Sequence, residues 1–188
     1  MKRTFIGLKI EPNGVLLHLF SDLKKNLNRE QIRWIDPQNL HLTLRFLGNT
    51  DDSQLIDISK ALDDLIPQFS QFELDIVGLG VFGKRSAPKI LWAGVKMPEN
   101  IYKLVENIEE IVCNAGFEGE TRPYSPHLTL SRIKALSDST RLLDLVDQYK
   151  QTHFLTQKVG EIILYESVLK SFGAVYEPLR IFDLNNPV

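Results

Sequence analysis

The sequence almost lacks cysteine, since Cys113 is the only one in 188 residues. No disulfide can therefore form within the chain, which fits a reducing compartment. Cys113 lies in the apolar helical pattern IEEIVCNAG, so we expect a buried small side chain rather than a nucleophile. Long hydrophobic runs are missing as well, because MKRTFIGLKI turns polar at EPNG and is too short for a signal peptide or a membrane span. We therefore expect a cytoplasmic protein that does not enter a membrane.

A surplus of either charge is also absent. Lys and Arg number 22 against 24 Asp and Glu, which leaves a formal net charge of −2. The overall charge therefore does not draw the chain to nucleic acid, and any such contact must come from a local basic patch. The 43% hydrophobic and 24% charged residues are ordinary for a globular protein of one domain.

What the sequence does contain is the word HLTL twice, beginning at His41 and at His127, 86 positions apart (127 − 41). A repeated tetrapeptide is weak evidence of a duplication by itself, because such short motifs recur by chance. Helix-opening signals and a strand pattern recur at the same distance, in the pairs 13 and 99, 51 and 137, and 72 and 158. We infer a duplicated strand–helix–strand–helix–strand unit.

Hydrophobic periodicity predicts the elements of this unit. We predict strands in TFIGLKI, LHLTLRFLG, FELDIVGLGVF, ILWAGV, HLTLSRI and VGEIILYESVL, and a hairpin turn with a last strand in SFGAVYEPLRIFDL. Four helices are predicted after Asn13, after Thr50 or Asp51, after the segment PEN, and in SDSTRLLDLVDQYK. We expect RWIDPQNL to be irregular because Pro37 keeps Asp36 extended, and GKRSAPK at 83–89 to be a basic loop.

These elements predict an α+β fold with mainly antiparallel sheets and helices on the outer faces. We expect residues 1–188 to form a single domain of two pseudo-symmetric lobes, roughly 1–85 and 86–188, with possible exchange of strands. A pseudo-twofold axis would place the two HLTL strands opposite each other, so we expect them to face a central groove.

Residues two apart on a strand share a face, so His41 and Thr43 point one way, and His127 and Thr129 repeat the arrangement. Two imidazoles titrate near neutrality, so one can accept a proton from an attacking water while the other protonates a leaving oxygen. Hydroxyl and guanidinium donors can hold the oxygens of a phosphoryl centre as its charge grows.

The paired motifs resemble those of the 2H phosphoesterases. NLHLTLRFLG and RPYSPHLTLSR, with ILWAGV between them, resemble the RNA 2′,3′-cyclic phosphodiesterase branch, whose members were once described as 2′-5′ RNA ligases. The resemblance runs from FIGLKI to the last strand. It implies that His41 protonates the leaving 3′ oxygen, that His127 activates water, and that Thr43 and Thr129 contact the phosphate. The implied reaction opens a 2′,3′-cyclic phosphate at an RNA or oligonucleotide 3′ terminus to a 2′-phosphomonoester, without metal or cofactor, and we expect a monomer.

The residue five positions after each histidine also has an implied role. Phe46 would stack a base and Arg132 would hold the phosphate. Simple alternation turns both residues away from the histidines unless a bulge intervenes. Arg45, four positions after His41, has the alternation that Phe46 lacks, so it is a secondary candidate for the phosphate.

Other interpretations stay open. The groove could bind RNA termini without turnover, could join a cyclic phosphate to a 5′-hydroxyl, or could take another small cyclic phosphodiester. Two histidines could start a zinc site, but a catalytic zinc usually has three protein ligands and no third one recurs beside the motifs. We expect structural or surface positions for the remaining histidines and for both tryptophans, and a solvated loop, or a contact with RNA, for the basic residues near 83–89: His18, His153, Trp34, Trp92, Lys84, Arg85 and Lys89.

Overall fold

A computed structural model describes residues 1–170 and 173–186. Within these residues the chain forms nine β-strands, namely β1 (Lys2–Lys9), β2 (Gln31–Trp34), β3 (His41–Thr50), β4 (Phe72–Lys84), β5 (Ala87–Lys96), β6 (His127–Ala135), β7 (His153–Val159), β8 (Glu161–Lys170) and β9 (Gly173–Asp183). The same residues form four α-helices, α1 (Gly14–Asn26), α2 (Asp52–Leu65), α3 (Glu99–Asn114) and α4 (Thr140–Gln148). None of these helices combines the length and apolar character needed to cross a membrane.

Local sequence explains where the helices begin and end. The Asn13 side chain accepts a hydrogen bond from Leu16 N and opens α1. Asp51 and Gln54 form a capping box at the start of α2, so two otherwise unpaired backbone N–H groups are satisfied. Gly116 follows α3 with a φ of 90°, a conformation that glycine adopts without strain.

The strands form one antiparallel sheet in the order β7-β4-β5-β6-β3-β1-β8-β9, with β2 paired to β6. The two HLTL strands, β3 and β6, are neighbours at its centre and meet at the pair Leu42 and Leu128. The predicted α+β class with antiparallel strands is confirmed. The order is nearly symmetric about this central pair, since β1 and β5 flank β3 and β6.

Each half of the sequence contributes a strand to the other half of the sheet. β4 comes from the first half but pairs with β5 of the second, and β8 comes from the second half but pairs with β1 of the first. A single cluster of buried apolar side chains takes residues from all four helices and from both halves of the sheet. The pair β3 and β6 therefore lies over a shared core.

Three predictions about individual segments were wrong. The segment predicted to be irregular, residues 33–40, begins with the last two residues of β2, Arg33 and Trp34, which pair with β6, and the turn Pro37–Asn39 follows. The strand predicted over residues 159–169 corresponds to β8, which begins at Glu161, whereas β7, which ends at Val159, was not predicted. The predicted basic loop is a tight hairpin in which only Arg85 and Ser86 lie between β4 and β5. The hairpin turn predicted at residues 171–172 lies outside the described residues.

The prediction for Cys113 was also wrong, because this side chain is exposed. Ile108 and Val112 turn the apolar face of α3 to the core, and Cys113, one position further along the helix, points away from it. Its Sγ lies 3.6 Å from Glu109 Oε1, and partial desolvation, followed by the negative charge of Glu109, raises the pKa of the Cys113 thiol.

Candidate active site

The two HLTL motifs present their polar residues on one face of β3 and β6. All four leucines are buried against the core, and the four side chains between them are half-buried: His41, Thr43, His127 and Thr129. Because the antiparallel pair Leu42–Leu128 sets the alignment, His41 lies across from Thr129, and Thr43 lies across from His127. The four side chains expected from the sequence are therefore brought to adjacent positions on one surface.

Each histidine is oriented by the same backbone contact. His41 Nδ1 lies 2.8 Å from the Asn39 carbonyl oxygen, and His127 Nδ1 lies 2.8 Å from the Ser125 carbonyl oxygen. A carbonyl oxygen can only accept a hydrogen bond, so Nδ1 carries the proton in both rings. Nε2 is left in both rings to accept a proton when neutral or to donate one when charged.

Aromatic side chains fix the planes of both imidazoles. The ring centroid of His41 lies 4.8 Å from that of Phe5 and 4.6 Å from that of Tyr176. The His127 centroid lies 4.8 Å from Phe82 and 6.5 Å from Trp92. These contacts limit rotation of each ring, so the two Nε2 atoms have defined directions.

The pKa of His41 is lowered from its ordinary value of 6.5, chiefly because burial disfavours the charged ring. The positive charge of Arg132 acts in the same direction, as does that of His127 whenever this ring is protonated, while the hydrogen bond to the Asn39 carbonyl opposes them. In the absence of a bound anion, His41 is therefore neutral at neutral pH.

A bulge lies at the second leucine of each motif. In β3, Thr43 pairs with Gly7 and Arg45 with Ile6, so Leu44 is left without a partner in β1. In β6, the residue left over in the same way is Leu130, because Trp92 pairs with Thr129 and Leu91 with Ser131. The extra residue reverses the alternation, which turns the positions five after each histidine, Phe46 and Arg132, to the exposed side.

The same bulge overturns the expectation for Arg45. Arg45 is only 8% exposed and lies on the side of α3, where its Nε is 2.5 Å from Glu109 Oε2. Its guanidinium also donates to Glu120 Oε1 at 2.9 Å and to the carbonyl oxygens of Phe46 and Glu118. Arg45 is thus a buried cross-link between β3, α3 and the loop before β6, and its guanidinium is engaged by protein rather than available for a phosphate.

Two cavities lie beside these strands. The first, here called the His41 groove, has a volume of about 520 Å³ and contains His41, Thr43, Phe46, Arg132 and Tyr176 in its wall. The second, the His127 pocket, has a volume of about 680 Å³ and is walled by His127 together with the same Thr43 and Phe46. The two cavities therefore meet at β3, with one histidine on each side. Thr129 lines neither cavity.

The residues of the His41 groove that were not predicted as site residues include Arg3, Arg33 and Trp34. Arg3 Cζ lies 5.1 Å from the centroid of the Phe46 ring, which it covers. Trp34 packs edge-on against Phe20 as expected, but it also faces the groove. Arg33 and Trp34 could have been predicted as site residues only if β2 had been predicted, and the sequence pattern did not indicate this strand.

The remaining histidines and the basic hairpin lie outside both cavities. His18 is exposed on α1, and His153 Nε2 lies 3.1 Å from Asp75 Oδ1. Lys84, Arg85 and Lys89 line neither cavity, and Arg85 is 3.8 Å from a carboxylate oxygen of Asp147. Nowhere in residues 1–170 and 173–186 do three His, Cys, Asp or Glu side chains come close enough to hold a metal ion.

Comparison with known proteins points to one family. The family model described as LigT like Phosphoesterase matches residues 7–92 and 95–176. A protein of Aquifex aeolicus named RNA 2′,3′-cyclic phosphodiesterase is 32% identical over 81% of this chain and 81% of its own. A protein of the same name from Methanothermobacter thermautotrophicus is 30% identical over 82% of this chain and 83% of its own.

Solved structures share the fold. The crystal structure of TT0787 of Thermus thermophilus superposes with a TM-score of 0.77 at 24% identity and covers 98% of both chains. E. coli LigT complexed with 3′-AMP has a TM-score of 0.77 at 22% identity and covers 97% of this chain and 98% of its own.

Proposed function

Because the chain belongs to the LigT-like phosphoesterase family, we propose that it hydrolyses RNA 2′,3′-cyclic phosphates to 2′-phosphomonoesters without a metal ion. The observation that carries the proposal is the pair of histidines on adjacent central strands, each with Nδ1 on a carbonyl and with no hydrogen-bond partner at Nε2 among the described residues. An acid and a base on two sides of one phosphorus are what in-line displacement requires.

In the proposed reaction, His127 Nε2 removes a proton from a water molecule as its oxygen bonds to phosphorus. The bond from phosphorus to the ribose 3′ oxygen breaks, and His41 Nε2 donates a proton to that oxygen. The phosphate stays on the 2′ oxygen. Proton exchange with solvent then returns both rings to their starting states.

Three of the other predicted residues are assigned to the phosphate oxygens. The Thr43 and Thr129 hydroxyls donate hydrogen bonds to the non-bridging oxygens, and the exposed Arg132 guanidinium offsets the charge that develops there. Phe46 presents its ring for a base, with 42% of the side chain exposed.

The lowered pKa of His41 bears on when this ring takes up the proton that it donates. A proton donor must be charged, yet His41 is neutral in the unoccupied protein. A phosphodiester anion beside the ring favours the charged form, so we propose that substrate binding raises the pKa of His41 and brings in the proton it later donates.

A product analysis tests the proposal. The protein is incubated with 2′,3′-cyclic AMP, an oligoribonucleotide ending in a 2′,3′-cyclic phosphate, and 3′,5′-cyclic AMP as a control, each with and without EDTA. We expect 2′-phosphate products from the first two substrates in both conditions, and no reaction of the control. A 3′-phosphate product or a requirement for metal would contradict the proposed reaction, and tight binding without turnover would identify an RNA-terminus binding module instead.

A further inference from the structure

Two arginines lie directly opposite each other on adjacent strands beside the proposed active site. Arg33 of β2 pairs with Arg132 of β6 in the antiparallel register, and both side chains are exposed in the His41 groove. Like charges at directly opposite positions destabilise a sheet. Neither side chain forms an ion pair with a carboxylate of the described residues. An unfavourable pair that the fold does not neutralise points to a ligand that does.

The charges of the two cavities differ in sign. The wall of the His41 groove holds three arginines and one acid, a net charge of +2, namely Arg3, Arg33, Arg132 and Asp36. The wall of the His127 pocket holds two arginines and three acids, a net charge of −1, namely Arg45, Arg122, Glu106, Glu109 and Glu120. In a chain with a formal net charge of −2, the His41 groove is a local basic patch that suits a polyanion, and the His127 pocket does not.

Aromatic rings accompany the arginines. Phe46 is covered on one side by Arg3, and the side chains of Trp34 and Tyr176 also reach the wall of the groove. A positively charged groove interleaved with aromatic rings is how proteins hold single-stranded nucleic acid, because every base can stack while the cations follow the backbone.

The proposed reaction fixes which side the RNA occupies. The leaving 3′ oxygen belongs to the terminal ribose, and the rest of the strand continues from that same ribose. If His41 protonates this oxygen, the ribose and the strand lie on the side of His41, whereas only water needs to reach His127. The basic groove is on the side of His41.

We propose that the His41 groove binds the nucleotides upstream of the cyclic end, with Arg132 on the reacting phosphate and Arg33 on the next phosphodiester toward the 5′ end. The preferred substrate is then a single-stranded oligoribonucleotide, and a cyclic mononucleotide is hydrolysed less efficiently. This inference rests on the proposed function and adds a specificity-determining residue, Arg33, to it.

The test compares kcat/KM for 2′,3′-cyclic AMP with that for a trinucleotide ending in a 2′,3′-cyclic phosphate. A hydrogen bond to a charged group contributes enough free energy for about a tenfold preference for the trinucleotide in the unaltered protein. We expect R33A to reduce the ratio of the two kcat/KM values to about one, and R33K to keep part of it. R85A, which changes an exposed arginine outside both cavities, should leave the ratio as it is.

Salt dependence and stability provide independent readouts. For the trinucleotide, the slope of log(kcat/KM) against log salt should become shallower by about 0.7 in R33A, the value for one phosphate contact on a single strand. Because R33A removes like-charge repulsion, its thermal unfolding temperature should not fall.

The outcomes separate the two proposals. If the unaltered protein hydrolyses neither substrate, the proposed function fails. If it hydrolyses both with the same kcat/KM, or if R33A keeps the preference and the salt slope, the function stands and the role of Arg33 is overturned.

Discussion

The central strands β3 and β6 carry the same motif, the same bulge and the same histidine–carbonyl contact, but they differ just after the bulge. Arg45 of β3 corresponds to Ser131 of β6, and Phe46 corresponds to Arg132. The shared part supplies two equivalent imidazoles. The differing part breaks the symmetry, with a ring on one strand and a guanidinium on the other. Hydrolysis is itself asymmetric, because one side of the phosphorus receives water and the other releases a ribose oxygen.

The segments that position the histidines also differ. Asn39 belongs to a short turn before β3, and its Nδ2 donates to the Ala174 carbonyl of β9 at 3.1 Å. Ser125 belongs to the loop between α3 and β6, where the neighbouring Tyr124 hydroxyl donates to the Thr43 carbonyl at 2.9 Å. Each histidine is thus supported by a contact between the two halves, so the spacing of the imidazoles depends on both.

Replacing either of the two histidines, which both strands share, should have the largest effect on activity. H41A and H127A should each lower kcat on 2′,3′-cyclic AMP by about 10²–10⁴-fold, since each removes one positioned acid or base. H18A, which changes an exposed histidine on α1, serves as the matched control and should keep full activity. If only one of the two active-site variants lost activity, the two strands would not be functional equivalents.

Replacing the residues that differ between the two strands, Phe46 and Arg132, should affect different kinetic constants. R132A should lower kcat by about 10²-fold, because it removes a donor that offsets the charge developing on phosphate. F46A should raise KM by about tenfold with little change in kcat, because base stacking holds the substrate in its ground state as well as in the transition state. Steady-state kinetics on the cyclic trinucleotide measures both, and equal effects on kcat and KM from the two variants would mean that the strands have not diverged in role.

Substitutions at the position directly after the bulge, Arg45 in β3 and Ser131 in β6, should differ in their effect on the free energy of unfolding. R45M leaves Glu109 and Glu120 without their partner, and we expect a loss of about 2 kcal/mol of unfolding free energy, less than for a fully buried pair because both carboxylates are partly exposed. S131A should cost close to nothing, because the buried Ser131 Oγ has no hydrogen-bond partner to lose in the part of the chain that the structure describes. Urea denaturation of the two variants measures the difference, and equal losses would argue against a cross-linking role for Arg45.

The smallest effect should be on the pH dependence of stability. The pKa of His41 is lower in the folded protein than its ordinary value of 6.5, so the unfolded chain binds more protons as the pH falls below about 6.5. Stability should therefore decrease from neutral to mildly acidic pH, and H41Q should show a smaller decrease. Denaturation midpoints between pH 7 and pH 5 check this sign, and an identical decrease in H41Q would mean that burial does not disfavour the charged ring.

Much of this arrangement followed from local sequence. The alternation of HLTL placed His41 and Thr43 on one face with leucines behind them, and the repeat with the same spacing placed a second such strand in the sheet. The bulges at Leu44 and Leu130 could not be predicted in this way, because the residues around them fit an ordinary strand in the sequence. They depend on pairing with β1 and β5, which is a long-range property.

Long-range pairing also explains what the sequence concealed. β2 has only four residues and lies close to Pro37, so its sequence did not predict a strand. The strand forms through its pairing with β6, and Arg33 was therefore not predicted as a site residue. Arg45 was misplaced for the same reason as the bulge was missed, since its acidic partners lie 64 and 75 positions later in the chain (109 − 45 and 120 − 45).

The central claim is that one histidine from each half acts on the same phosphorus, one as acid and one as base. The most direct measurement is the pH profile of kcat/KM for 2′,3′-cyclic AMP in the unaltered protein, in H41Q and in H127Q. We predict a bell-shaped profile for the unaltered protein, with one limb lost in H41Q and the other in H127Q. A profile that is flat from pH 5 to pH 9, or that keeps both limbs in either variant, would contradict the claim.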